Sequence, residues 1–395
     1  MAFRKRSVVP QSGGLLSNQP VAAKQSLPQG VRPSPLDGRL TTSTGTHSLD
    51  SLLSGHSGLA LGTSLFIEEN GTTDFAGALV RYYAAEGVVQ GHHVHVLGMN
   101  EAWGRELPGV GVDDSSSRRA ESRQNDEKMK IAWRYERLGE FGAGSRDRNA
   151  SQLKGPSDST STAIFCHDFD LSKRLTLPSP SNVKFVPLST KPNLDFKDAD
   201  STLSPFTVFL AHLTSQISAT PITTVHRIVI PGILSPAIYP TEAARPEHLL
   251  QFLHALRALL RKYPTQLTVV ITLHSTLYPR STGLTRWMEL LSDGVLELVP
   301  FPSTAVAIKS NPTSTIQEEP PQGMLKIHRL PIFHEKGGGG GEASGFGDDL
   351  AFTLSRRKGL VIKPFSLPPV EGDSEAQQGG LEHDHGKATK VDIEF

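Results

Sequence analysis

The apolar positions of this chain change period along the sequence, and the changes mark alternating strands and helices. Residues 64–67 form a short apolar run that reads as a buried strand. Phe75, Ala78, Leu79, Tyr82 and Tyr83 then recur at helical spacing, and Gly87 ends that helix. Residues 92–99 give the next strand, with Val94 and Val96 on one face. Strand, helix and strand in this order make a βαβ unit, which favours a parallel sheet with a right-handed crossover. Farther along, Phe206, Phe209, Leu210, Leu213 and Ile217 mark a helix face, and residues 227–230 a buried strand. Residues 247–263 are the clearest helix, with Leu249, Phe252, Leu253, Leu256, Leu260 and Tyr263 on one stripe. A β-branched strand covers 267–273, Leu284, Trp287, Met288 and Leu291 give a helix, and 295–299 and 324–333 read as strands. Residues 350–355 and 360–365 pair as a hairpin across Arg356, Arg357, Lys358 and Gly359.

The pattern predicts one α/β domain over residues 31–370, with a mostly parallel central sheet and antiparallel C-terminal edge strands. Ser48 is the expected N-cap of a short apolar helix that holds Leu49, Leu52 and Leu53. Residues 1–30, rich in Ser, Gln, Pro and Gly, are expected to be disordered, as is the polar, acidic stretch 371–395. Polar insertions are expected at about 109–128, 142–162, 310–322 and 336–347, the last built on five consecutive glycines. Between the first two lies an alternating segment with Ile131, Trp133 and Tyr135, which suits either core packing or an anchor at a subunit interface.

Composition narrows the class. The chain has 395 residues, 37% hydrophobic and 20% charged, with a formal net charge of zero. That balance argues against a uniformly basic nucleic-acid binder but leaves local basic patches open. The single cysteine, Cys166, excludes an internal disulfide and a cysteine-rich zinc site, and a buried packing residue is the better reading than an activated thiol. The basic N-terminus is not followed by an apolar stretch, so no secretory signal is read there, and no run reaches the length of a membrane span.

The chemistry most worth weighing lies after the first strand of the βαβ unit. Its place is that of an ATPase phosphate loop, yet Glu68, Glu69, Asn70, Gly71, Thr72 and Thr73 stand there and no lysine does. A working loop needs glycine N–H groups and a lysine for the phosphates, and a Ser or Thr for magnesium. Two carboxylates in the turn would repel a nucleotide. The strand that should end in a magnesium-binding Asp ends instead in Ile230, Pro231 and Gly232. Both anchors of nucleotide hydrolysis are missing, and the glycine fingerprint of a Rossmann oxidoreductase is missing too. His93 and His95 share a strand face and have the spacing to chelate, but no third ligand is evident, so a polar strand start is the better reading.

One set of motifs is specific in combination. It runs from Phe3-Arg4-Lys5-Arg6 through Gly30 to Ser34, Ser43-Thr44-Gly45, Leu49-Asp50, Gly62 to Glu69 and Tyr82 to Gly87. It continues through Met129 to Tyr135 and Phe165 to Arg174, and ends at Arg356 to Leu360. Together these resemble the family of subunit 4 of the Elongator complex over nearly the whole ordered chain. The long polar insertions and the glycine run depart from a compact member.

The resemblance implies a RecA-like fold without a working phosphate loop. It implies assembly with Elongator subunits 5 and 6 into a heterohexameric ring that docks onto the catalytic Elongator subunits. The ring binds tRNA in support of carboxymethyl-type modification of the wobble uridine, while the chemistry belongs to another subunit. It further implies a cytoplasmic and nuclear protein that is not itself an enzyme and holds no cofactor, with any ATP acting at the level of the ring. The rival expectation is a RecA-like ATPase that binds ATP through a divergent loop at a subunit interface. By analogy with RecA-like rings, the loops after two central strands face the pore. That analogy names Arg245, Arg280 and Arg286 as phosphate contacts and Tyr239 and Tyr278 as stacking residues.

Overall fold

The computed structural model describes residues 27–35, 37–53, 58–111, 164–188, 204–302, 319–331, 350–356 and 359–365. Nine strands form one mixed sheet: β4 (Ser64–Glu69), β5 (His93–Leu97), β8 (Val183–Val186), β9 (His226–Ile230), β10 (Leu267–His274), β11 (Gly294–Pro300), β12 (Gly323–Arg329), β13 (Leu350–Ser355) and β14 (Gly359–Pro364). Their spatial order is β14-β13-β12-β11-β4-β10-β9-β5-β8. Every pair from β11 to β8 is parallel, and the pairs from β11 to β14 are antiparallel. This is the parallel centre and antiparallel C-terminal edge that the sequence pattern predicts, in an arrangement consistent with a RecA-like domain.

Alternation along β4 shows how the layers form. Leu65 and Ile67 face one side, where they join Val94, Val96, Val229 and Val270 beneath helix α2 (Phe75–Val89). Phe66 faces the other side with Ile228, Ile230, Val269 and Ile271, under α4 (Thr207–Ala219), α5 (Pro246–Lys262) and α6 (Gly283–Leu291). Burial on both faces explains why these strands read as continuous apolar runs. The period of two also fixes the side chains that follow. Glu69 is directed to the α2 face and Glu68 to the α6 face.

Smaller elements complete the domain. Strands β1 (Val31–Pro33), β2 (Leu40–Thr42) and β3 (Leu59–Ala60) form an antiparallel sheet. Strand β6 (Pro108–Val110) pairs with β7 (Phe169–Arg174), and the short helices are α1 (His47–Leu52) and α3 (Glu101–Gly104). The first predicted insertion therefore begins inside a strand. The N-cap of α1 is Thr46 rather than Ser48, which lies within the helix. The remainder of the predicted insertions and both predicted disordered ends lie largely outside the described residues. Among the described residues, no helix is long and apolar enough to cross a membrane.

Candidate functional site

The sequence pattern places Glu68 and Glu69 in the turn after the first strand of the βαβ unit. The structure corrects this: they are the last two residues of β4, both fully buried, and the turn is formed by Asn70, Gly71, Thr72 and Thr73. The strand continues because β10 and β11 flank it to its end, pairing Glu69 with His274 and Leu298.

Glu69 reaches forward to the start of α2. Its carboxylate accepts hydrogen bonds from the backbone N–H of Phe75 at 3.0 Å and of Ala76 at 2.8 Å, and from the Thr73 hydroxyl at 2.6 Å. These are the first, unpaired N–H groups of the helix, at its positive end. In a phosphate-binding fold such groups hold the anion. Here a side chain of the same protein holds them. Burial raises the Glu69 pKa, while the bonds from Thr73, Ala76 and Phe75 oppose that rise. Asp74, at the N-cap of α2, adds a second carboxylate and pairs with Arg81 at 2.8 Å.

The end of β9 carries no carboxylate. The Pro231 carbonyl accepts from the Tyr239 hydroxyl at 3.0 Å, and the Gly232 N–H donates to the Thr272 hydroxyl at 2.7 Å. The cavity left between α2 and the ends of β9 and β10 measures ≈ 190 Å³ and is lined by Asp74, Arg81, Trp103, Ile238 and His274 among others. That is below the range of roughly 300–1,000 Å³ typical of small-molecule pockets. The Arg81 guanidinium in this lining is paired with Asp74 at 2.8 Å and lies 3.9 Å from Glu106.

On the opposite face, Glu68 belongs to an acidic cluster closed by one arginine. The Arg280 Nε lies 3.1 Å from Glu68 and 2.6 Å from Glu289, and its Nη1 lies 3.7 Å from Glu297. His328 bonds Glu297 at 2.8 Å, and Arg286 bonds Glu289 at 2.8 Å. Burial pushes the Glu68 carboxyl up to about 8, and the charge of Glu289 adds to this against the pull of Arg280. Glu68 is therefore mostly protonated at neutral pH, which lets three carboxyl groups share one guanidinium.

The structure sorts the five predicted RNA contacts. Tyr239 is buried, with 3% exposure, and its hydroxyl is spent on Pro231, so it has no face free for stacking. This corrects its assignment. Arg280 fastens the loop before α6 to the sheet, and its charge is taken up by the carboxylates of Glu289 and Glu297, with the Glu68 carboxyl 3.1 Å away. Tyr278 is half-buried and donates to the Leu234 carbonyl at 3.3 Å, which joins the loop after β10 to the loop after β9. Arg245, just before α5, and Arg286, on α6, have exposed side chains. The predicted interface residues Ile131, Trp133 and Tyr135 lie outside the described residues.

Two polar networks escape sequence reasoning. Arg227 is fully buried and donates to the carbonyls of Ser43 at 2.8 Å and Tyr83 at 3.0 Å, to the Thr42 hydroxyl at 2.7 Å and to His92 Nδ1 at 2.9 Å. It thereby ties the small N-terminal sheet to the core. The second network is a row of imidazoles. His95 lies 3.1 Å from His212 through Nδ1 and 3.0 Å from His226 through Nε2, and His226 continues to the Thr220 hydroxyl at 2.8 Å. His95 spends its two nitrogens on different neighbours, so no common point for a metal exists. Among the described residues, no group of three His, Cys, Asp or Glu side chains is placed to hold a metal ion. Burial holds His95 down to about 2 and His226 to about 4, so both are neutral. Cys166 is buried and free, and burial together with the charge of Asp50 pushes its thiol up, which suits packing and not nucleophilic chemistry.

Fold and site together define a RecA-like α/β domain whose anion-binding turn is filled by its own carboxylate. The sequence family described as PAXNEB protein matches residues 23–395. A fission-yeast (Schizosaccharomyces pombe) protein named Elongator complex protein 4 is 34% identical over 374 residues, covering 90% of this chain and 92% of that protein. The proteins of the same name from Saccharomyces cerevisiae and Homo sapiens are 27% and 29% identical, covering 93% and 89% of this chain and 84% and 82% of theirs. The chain belongs to the Elongator complex protein 4 family.

Proposed function

We propose that this chain is a non-catalytic subunit of the Elongator complex. It assembles with subunits 5 and 6 into a heterohexameric ring that joins the catalytic subunits and presents tRNA for wobble-uridine modification. The observation that carries the reading is the Glu69 carboxylate on the first N–H groups of α2. A domain that fills its phosphate site with its own side chain acts by shape and assembly rather than by nucleotide turnover. Membership of the family supplies the complex.

Within this reading the exposed arginines Arg245 and Arg286 contact tRNA phosphates, and Tyr278, half-buried on the loop after β10, is the stacking residue. The test is tRNA binding by the assembled ring across a salt series. Replacing Arg245 and Arg286 by Ala should lower the slope of log affinity against log salt by about 0.7–0.9 for each phosphate no longer neutralised. An unchanged affinity and slope would move the RNA contacts to other subunits.

A further inference from the structure

Helix α3 stands between two cavities. Trp103 borders the small one beside α2, described above. Glu101 and Gly104 border a larger one, which lies between α3, the segment that follows β7 and the edge strand β8. It measures ≈ 460 Å³, inside the range of roughly 300–1,000 Å³ typical of small-molecule pockets. Leu175, Leu177, Val183 and Phe185 give it an apolar lining. These walls are fixed by the fold. Val183 and Phe185 are held in β8, in register with Val94 and Val96 of β5. The Phe185 ring meets the Trp103 indole edge-on, with 6.5 Å between centroids. Gly104 permits the close approach: a Cβ there would stand 2.6 Å from Phe185 and 3.3 Å from Leu177.

The rest of the lining is charged, and unequally so. Arg105 and Arg174 are exposed on its positive side and Glu101 on its negative side. Arg174 is anchored by a bond from Nη1 to the Glu106 carbonyl at 3.0 Å, which leaves its other donors available. Among the described residues, the Arg105 guanidinium has neither an ion pair nor a hydrogen bond. The Glu106 carboxylate lies 3.9 Å from Arg81 and is not part of the lining.

We propose that this cavity binds a small organic monoanion, a carboxylate carried on an aryl or alkyl body. The apolar lining takes the body, and Arg105 and Arg174 take the carboxylate, for which a guanidinium fork is the matching donor. Glu101 sets the limit of one negative charge. Two guanidinium groups against one carboxylate leave a surplus of one positive charge, so a nucleoside triphosphate brings more negative charge than the cavity balances. The site needs only this chain, with no neighbouring subunit and no RNA.

The test is calorimetric titration of the full chain with three monocarboxylates: naphthylacetate, phenylbutyrate and octanoate. At least one should bind saturably below millimolar concentration. Arg105→Ala and Arg174→Ala should each weaken that binding roughly tenfold or more, and so should exchanging the carboxylate of the probe for the neutral amide. Thr176→Trp, which fills the cavity from its rim and keeps both arginines, should abolish it. Glu101→Gln should tighten the monocarboxylate and admit naphthyl phosphate, a dianion that the wild type refuses. All four variants change exposed side chains and should melt with the wild type. Absence of saturable binding for all three probes overturns the proposal. So do amides that bind as tightly as the acids, and binding that survives Thr176→Trp or the loss of both arginines, which would place it on another apolar surface. Arginine variants that no longer fold would overturn the assignment of Arg105 and Arg174 as ligand contacts.

Discussion

The Glu69 carboxylate sits 2.8 Å from the backbone nitrogen of Ala76, seven residues on. The last residue of a central strand thus closes the first turn of the helix that follows it. Losing that closure leaves two helix N–H groups and the Thr73 hydroxyl without their partner. Glu69→Ala should therefore destabilise the chain by about 2 kcal/mol, read from the denaturant midpoint. It should not create nucleotide affinity, because no lysine stands in the turn. A variant as stable as the wild type would show that the bonds to α2 contribute little.

Arg280 is expected to be a structural residue before it is anything else. Removing it leaves the carboxyl groups of Glu68, Glu289 and Glu297 without their shared cation. Arg280→Ala should cost about 3 kcal/mol, and adding Glu289→Gln should recover part of the loss. Equilibrium unfolding of the single and double variants measures both. Unchanged stability with weakened tRNA binding would restore Arg280 as a free phosphate contact.

Stability should depend on pH on both sides of neutrality. Burial depresses His226 to about 4, His92 to about 3 and His95 to about 2, from 6.5. Below pH 6.5 the unfolded chain takes up protons that the folded chain refuses, so this contribution is full above 6.5 and is lost as pH falls toward those values. Glu68 acts in the opposite sense. Its pKa is raised to about 8 from 4.5, so its contribution is full below 4.5 and is lost as pH rises through about 8. Urea midpoints across pH should fall on both flanks, and Glu68→Gln should flatten the alkaline flank alone. A midpoint flat between about pH 5 and 9 would contradict these assignments.

The architecture was legible where apolar periodicity was uninterrupted. Strands β9 and β10 and helix α5 lie within a residue of their expected ends. The site was legible in its chemistry and misread in its position. Glu68 and Glu69 ended the apolar run, so the strand was expected to stop at Ile67. In the fold, β10 and β11 carry the pairing two residues further and bury both acids. Tyr239 was misread for a different reason. The analogy with RecA-like rings turned its loop toward a pore, yet the close turn at Gly232 brings Pro231 within reach of its hydroxyl. Arg227 shows the general limit. A lone cation opening an apolar strand reads the same whether it is solvated or buried. Only the fold shows that Thr42, Ser43, Tyr83 and His92 converge on it from distant parts of the chain.

The most direct measurement is equilibrium titration of the purified chain with magnesium-ATP and with inorganic phosphate. A site already filled by Glu69 predicts no saturable binding of either ligand at millimolar concentrations. Saturable binding of ATP that disappears when Gly71 and Thr72 are replaced would contradict the account, because it would place a phosphate where the carboxylate stands.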